Sequence, residues 1–162
     1  MNFIPLLLLV LAIKPSALSI TSTAFNANSS IPSKYTCEGY NINPPLSIGN
    51  IPAAAKSLVL IVDDPDAPKG TFDHWVTWNI SPGTKSIRED SAPGVQGTNG
   101  TGKTGYLGPC PPTGTHHYHF KVYALDTMLD AKPGSDKKTI ETAIQGHILA
   151  QGELIGLYKK VK

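Results

Sequence analysis

The side chains of this sequence best placed to do chemistry together are the carboxylate of Asp64, two imidazoles, His74 and His116, and the phenol of Tyr118. Asp64, His74, His116 and Tyr118 stand at the polar ends of apolar rows. Residues 58–62, Leu-Val-Leu-Ile-Val, make an unbroken, largely β-branched run of strand length that reads as a strand buried on both faces. It stops abruptly in Asp63-Asp64-Pro65-Asp66-Ala67-Pro68. With side chains alternating at period two, Leu58, Leu60, Val62 and Asp64 point one way, while His74, Val76, Trp78 and Ile80 share a face of the next strand. In residues 116–125 the row His116, Tyr118, Phe120, Val122 and Ala124 is the buried one, and of the other row, His117, His119, Lys121 and Tyr123, the first three are expected to face water. A carboxylate, two imidazoles and a phenol at the ends of core-facing rows meet at the rim of one core and make a polar pocket. Protonated His74 and His116 would give such a pocket a positive field, and Tyr118 a neutral hydroxyl donor. Affinity for an anion should then strengthen as pH falls from about 8 to 6, where histidine titrates.

Short strands joined by turns must position these groups. Fourteen prolines and fifteen glycines against one convincing helical pattern indicate a mainly β chain. Its 162 residues suit one domain, large enough to bury roughly two-thirds of its unfolded surface. Strands are expected at residues 20–28, 46–48 and 154–158 besides those above, and a helix at 136–147 behind Ser135-Asp136. Pro65 and Pro68 keep the acidic turn extended. Gly108-Pro109-Cys110-Pro111-Pro112-Thr113-Gly114 is a rigid loop with little conformational freedom to lose, able to wall a pocket.

Charged residues are 16% of the chain and the formal net charge is +2, so there is no basic face to draw in nucleic acid. Residues 3–13 are an apolar run broken by Pro5 and followed by Ala17-Leu18-Ser19, a small-x-small cleavage pattern. This reads as a signal peptide over 1–19 and a domain over 20–162, exported to a periplasm or secreted. The run is too short to span a bilayer, and no later stretch is a transmembrane candidate. An even pair of cysteines in an exported chain is expected to be oxidised, Cys37 to Cys110.

Residues 97–104, Gly-Thr-Asn-Gly-Thr-Gly-Lys-Thr, match the phosphate-loop pattern of nucleotide-binding proteins. That chemistry needs a strand before the loop and a helix after it to offer amides and dipole to the phosphates. Pro93 and Gly94 come before, and Pro109, Pro111 and Pro112 after, so the nucleotide reading is disfavoured.

Taken in order, Asp64-Pro65-Asp66-Ala67-Pro68, His74-Trp75-Val76, Gly108 to Pro112 and His116 to Tyr118 resemble the phosphatidylethanolamine-binding protein family, closest to its bacterial Raf kinase inhibitor-like branch, over residues 31–158. The resemblance implies a Greek-key β-sandwich with a small anion pocket for phosphate-like groups or phosphorylated headgroups. It implies that Asp64, His74, Cys110, Pro111, Pro112, His116 and Tyr118 line the pocket, with Asp66 in support. His117 departs from the family, which has arginine there. The resulting expectation is a non-enzymatic binding domain without cofactor or metal, regulating or inhibiting a partner protein. Two alternatives stay open. One is a metal-dependent hydrolase, from five histidines and the cluster Asp63, Asp64, Asp66 and Asp73. The other is a protease inhibitor acting through residues 91–104.

Overall fold

A computed structural model describes residues 16–161 of the chain. In chain order its strands are β1 Ser16–Ala17, β2 Ser19–Thr21, β3 Ser29–Ser30, β4 Leu46–Gly49, β5 Ser57–Asp64, β6 Phe72–Ile80, β7 Ser86–Ile87, β8 Val95–Gln96, β9 His116–Leu125 and β10 Ile148–Tyr158. A 3-10 turn at Ser33–Tyr35 and one helix, α1 Lys137–Ala143, complete the described residues. The large sheet runs β1-β10-β9-β5-β6-β8, with β3 also on β10, and the small one runs β2-β4-β7. β5 sits between β6 and β9, antiparallel to both. Every residue of β5 is buried, as its unbroken apolar run requires.

The two faces of the large sheet bury different cores. Leu58, Leu60, Val62, Trp75, Phe120 and Val122 pack inward with Ile20, Leu46, Ile48 and Ile87 of the small sheet. Val59, Ile61, Val76 and Trp78 face the other way, against Ile140 and Ile144 of the helical segment. This overturns the uniform row His74, Val76, Trp78 and Ile80. The β5–β6 register shifts between Leu58 and Leu60 and again between Val62 and Asp63. Each irregularity inserts a residue and reverses the alternation. Trp75 and Ile80 therefore join the inner core, while Val76 and Trp78 go to the helix side. His74 still lies on the same side of the sheet as Asp64, because the second shift turns it inward beside Trp75.

The helix is shorter than its spacing suggests. Asp136 is the N-cap, its carboxylate accepting from the Thr139 N–H at 2.9 Å. Gly146 at φ 77° ends the helical turn, so His147 lies beyond α1 and pairs with Asp126 at 2.8 Å. The closing strand is longer than residues 154–158, because β10 follows β9 along nearly its whole length. The expected first strand is cut to Ser19–Thr21.

The apolar run at residues 3–13 lies outside the described residues. Within them, Leu18 is 5% exposed in the inner core and its N–H donates to the Gln151 carbonyl at 2.9 Å. Cys37 and Cys110 are joined by a disulfide, with Cα atoms 5.5 Å apart.

Candidate ligand-binding site

At the β5 end of the inner core lies a cavity of about 280 Å³. Three strands bring its polar groups together: β5 ends in Asp64, β6 begins near His74, and β9 begins with His116 and Tyr118. Cys110, Pro111 and Pro112 form part of the wall, as do Ala67 and Pro68. Asp66 is not on the wall. Cys37, joined to Cys110, and Gly108 of the expected wall loop are, together with Phe72 and Leu107, whose residue types carry no chemistry that would have singled them out. The wall is thus apolar around a polar floor.

Asp64 is held by two donors. Its Oδ2 accepts from His116 Nδ1 at 2.7 Å, and its Oδ1 from the Asp66 N–H at 2.8 Å. His74 Nδ1 donates to the Leu107 carbonyl at 2.6 Å. Burial pushes the His74 pKa below the ordinary histidine value despite the opposing Leu107 hydrogen bond and the charges of Asp64, Asp63 and Asp73. His74 is therefore neutral near pH 7 and supplies no positive field there, against the expectation of a charged ring. Tyr118 is 1% exposed and its hydroxyl has no hydrogen-bond partner. Burial and the Asp64 charge raise its pKa strongly, with the approaching Cys110 N–H opposing. It remains a neutral donor.

The loop of residues 107–112 is clamped to the segment 35–41. Cys37 N–H donates to the Pro109 carbonyl at 3.1 Å and Gly108 N–H to Asn41 Oδ1 at 2.6 Å. A Cβ on Gly108 would sit 2.6 Å from the Tyr35 carbonyl oxygen, so glycine is needed for that approach.

The other candidates fall elsewhere. His117 is exposed on the outer face, where its N–H and Nδ1 both reach Asp66 Oδ2, at 2.8 and 2.7 Å. Those two hydrogen bonds lower the Asp66 pKa, the ring's before the backbone's. His117 thus holds Asp66 by two hydrogen bonds outside the cavity. Asp63 and Asp73 turn to the opposite side of the sheet, onto Lys137. The acidic cluster is split between faces, and no group of three or more His, Cys, Asp or Glu among the described residues is placed to hold a metal. Residues 97–104 make no phosphate cradle. The amides of Gly97, Thr98, Asn99, Gly100 and Gly102 already donate to backbone carbonyls, and that of Thr101 donates to Asn99 Oδ1. Gly100 lies against the Phe72 ring, which a Cβ would approach to 2.6 Å. A larger open hollow of about 600 Å³, between Ile48 and Pro82, gathers no acid, imidazole or thiol.

The sequence profile described as phosphatidylethanolamine-binding protein matches residues 21–159. The chain belongs to that family. Within it, the chain is 53% identical over 149 residues to a UPF0098 protein of Pyrococcus horikoshii, covering 86% of this chain and 75% of the other. It is 47% identical over 150 residues to a UPF0098 protein of Methanothermobacter thermautotrophicus, covering 88% and 99%. A crystal structure of a phosphatidylethanolamine-binding protein homologue from Chlamydia trachomatis superposes at a TM-score of 0.87 with 44% identity, covering 90% of this chain and 99% of that one. Escherichia coli YbcL, described as a member of the mammalian family, superposes at 0.82 with 28% identity over the same shares. The family's two-sheet β fold is therefore the fold of this chain, as the motif order implies. Among the described residues no helix is long and apolar enough to cross a membrane.

Proposed function

We propose that this family member acts by binding, and that its cavity receives a small anionic group such as phosphate or a phosphorylated headgroup. The observation that carries this reading is Tyr118 on the cavity wall, whose buried hydroxyl donates to no acceptor. A buried hydroxyl left unsatisfied costs about 1–3 kcal/mol, and an acceptor oxygen of a ligand removes that cost. His116 and the Asp66 N–H each hold one oxygen of Asp64, so this carboxylate is already engaged within the protein. Binding without catalysis is supported by the wall itself. It carries no serine, threonine or lysine, and its two cysteines are joined to each other.

Calorimetry with phosphate and phosphoethanolamine at pH 6 tests the site. His74→Ala should lose about 1.5–3 kcal/mol of affinity, whereas His117→Ala, whose pair with Asp66 is exposed, should lose less than about 1 kcal/mol. Equal losses would remove the cavity from consideration, and release of phosphate from a phosphomonoester by the wild type would make the protein an enzyme.

Export belongs to the same proposal, supported by the apolar run at residues 3–13 and the disulfide. A cut after Ser19 would delete Leu18, and burying a leucine stabilises by roughly 1.5–3 kcal/mol. The secreted form should therefore begin at or before Leu18, and N-terminal sequencing of protein recovered outside the cytoplasm reads this directly. Full-length protein confined to the cytoplasm would sink the export reading.

A further inference from the structure

We infer that the cavity is built for an oxyacid that still carries a proton, a phosphomonoester monoanion being the simplest case. This deepens the anion-binding reading above and rests on it. A carbonyl oxygen only accepts, so the 2.6 Å contact with Leu107 fixes the hydrogen of His74 on Nδ1. The charged groups near this ring are Asp63 and Asp64 from β5 and Asp73 from its own strand, and all three favour its protonation. Burial outweighs them. From β9 Tyr118 packs on this ring and His116 shares the cavity wall with it, and neither is an anion to hold it charged: Tyr118 is neutral and His116 is turned to Asp64. A neutral ring with hydrogen on Nδ1 offers a lone pair at Nε2 and nothing else. His74 therefore needs a hydrogen from the ligand.

Tyr118 needs the opposite. Its ring meets His74 edge-on with centroids 5.1 Å apart. Its hydroxyl is unpartnered, and the Cys110 N–H approaches the oxygen, which leaves the hydroxyl hydrogen for the ligand. A ligand group that satisfies both must accept at Tyr118 and donate at His74. An O–P–O–H unit does both, whereas a fully ionised phosphate or a sulfate ester has only acceptors and leaves Nε2 facing a lone pair. The charge count agrees. No lysine or arginine lines the cavity, and Asp64 brings a negative charge to it, so nothing there compensates a dianion.

Calorimetry on the whole protein with methyl phosphate, methyl sulfate, dimethyl phosphate and glycerophosphoethanolamine, at pH 5.5 and 8, tests this. A phosphomonoester takes up its second proton near pH 6, so methyl phosphate should bind about tenfold or more tighter at the lower pH. Methyl sulfate and dimethyl phosphate have no such proton. They should bind roughly tenfold or more weaker than methyl phosphate at pH 5.5 and change little with pH. Glycerophosphoethanolamine, a diester standing for a lipid headgroup, should fall with dimethyl phosphate. His74→Gln, whose amide can donate, should raise methyl sulfate relative to methyl phosphate, a change of preference that a purely structural role would not produce. If glycerophosphoethanolamine or methyl sulfate bound as well as methyl phosphate, the proton requirement would be overturned and the cavity would stand as a general anion site. If none of the four bound to protein shown to be folded, both readings would fall.

Discussion

Asp63→Ala is expected to destabilise the protein by about 3–5 kcal/mol at pH 7, the usual cost of removing one partner from a buried ion network. Asp63 is 2% exposed and lies between two ammonium groups, Lys121 and Lys137, each with Nζ 2.9 Å from its carboxylate. Lys137 also sits 2.9 Å from Asp73 Oδ1, an ionic contact without hydrogen-bond geometry. Without Asp63, Lys121 loses its anion and Lys137 keeps half of its own. Lys137 opens α1, where the helix dipole disfavours a cation, so the two aspartates hold it there against the local preference. Burial alone would raise the Asp63 pKa, but the hydrogen bonds and charges of Lys121 and Lys137 outweigh it, and the net shift is downward. A carboxylate with a depressed folded pKa stabilises above its unfolded value, about 3.9, and that contribution is lost as pH falls through the folded value. Urea unfolding at pH 7 and pH 3 should therefore show the gap between wild type and variant shrinking in acid. A loss under about 1 kcal/mol at pH 7, or an equal gap at both pH values, contradicts the assignment. The network also bears on the cavity. Asp63 and Asp73 are register partners across β5 and β6, and their chain neighbours Asp64 and His74 point to the opposite side.

That network shows where sequence reading stops. Period-two alternation placed Asp64, His116 and Tyr118 correctly, because β9 is regular and β5 is buried along its whole length. It failed along β6, where two register shifts reverse the alternation and no residue type announces them. Asp63 looked like part of one acidic cluster. Its lysine partners come from β9 and α1, distant in the chain, and such pairing is fixed by the packing of elements and not by local spacing. Phe72 and Leu107 were missed on the cavity wall for a related reason: an apolar residue beside a polar site carries no signal apart from its neighbours in space. The neutral state of His74 was equally hidden, since it depends on burial and on a carbonyl contributed by Leu107. The cysteine pairing was legible, because two cysteines admit one intrachain bridge.

That bridge yields the second large effect. Cys37→Ser with Cys110→Ser should destabilise the protein by roughly 4 kcal/mol in the chain-entropy account, because the bridge closes a long loop in the unfolded state. The separation between the two positions is 73 residues. Both cysteines also border the cavity, yet the cavity should survive their loss. The wall loop stays tied to the segment 35–41 by Cys37 N–H to Pro109, Gly108 N–H to Asn41 and the Tyr106 hydroxyl to the Tyr35 carbonyl at 3.0 Å, and the first two are backbone donors that serine substitution leaves in place. Stability and binding should therefore separate: urea unfolding shifts strongly, while methyl phosphate affinity at pH 5.5, measured well below the unfolding transition, changes by less than about tenfold. Alkylation of the unfolded, unreduced wild type should label neither cysteine. Two labelled cysteines would show that the bridge does not form, and a collapse of affinity in the folded double variant would mean that the disulfide, and not the hydrogen-bonded clamp, shapes the cavity.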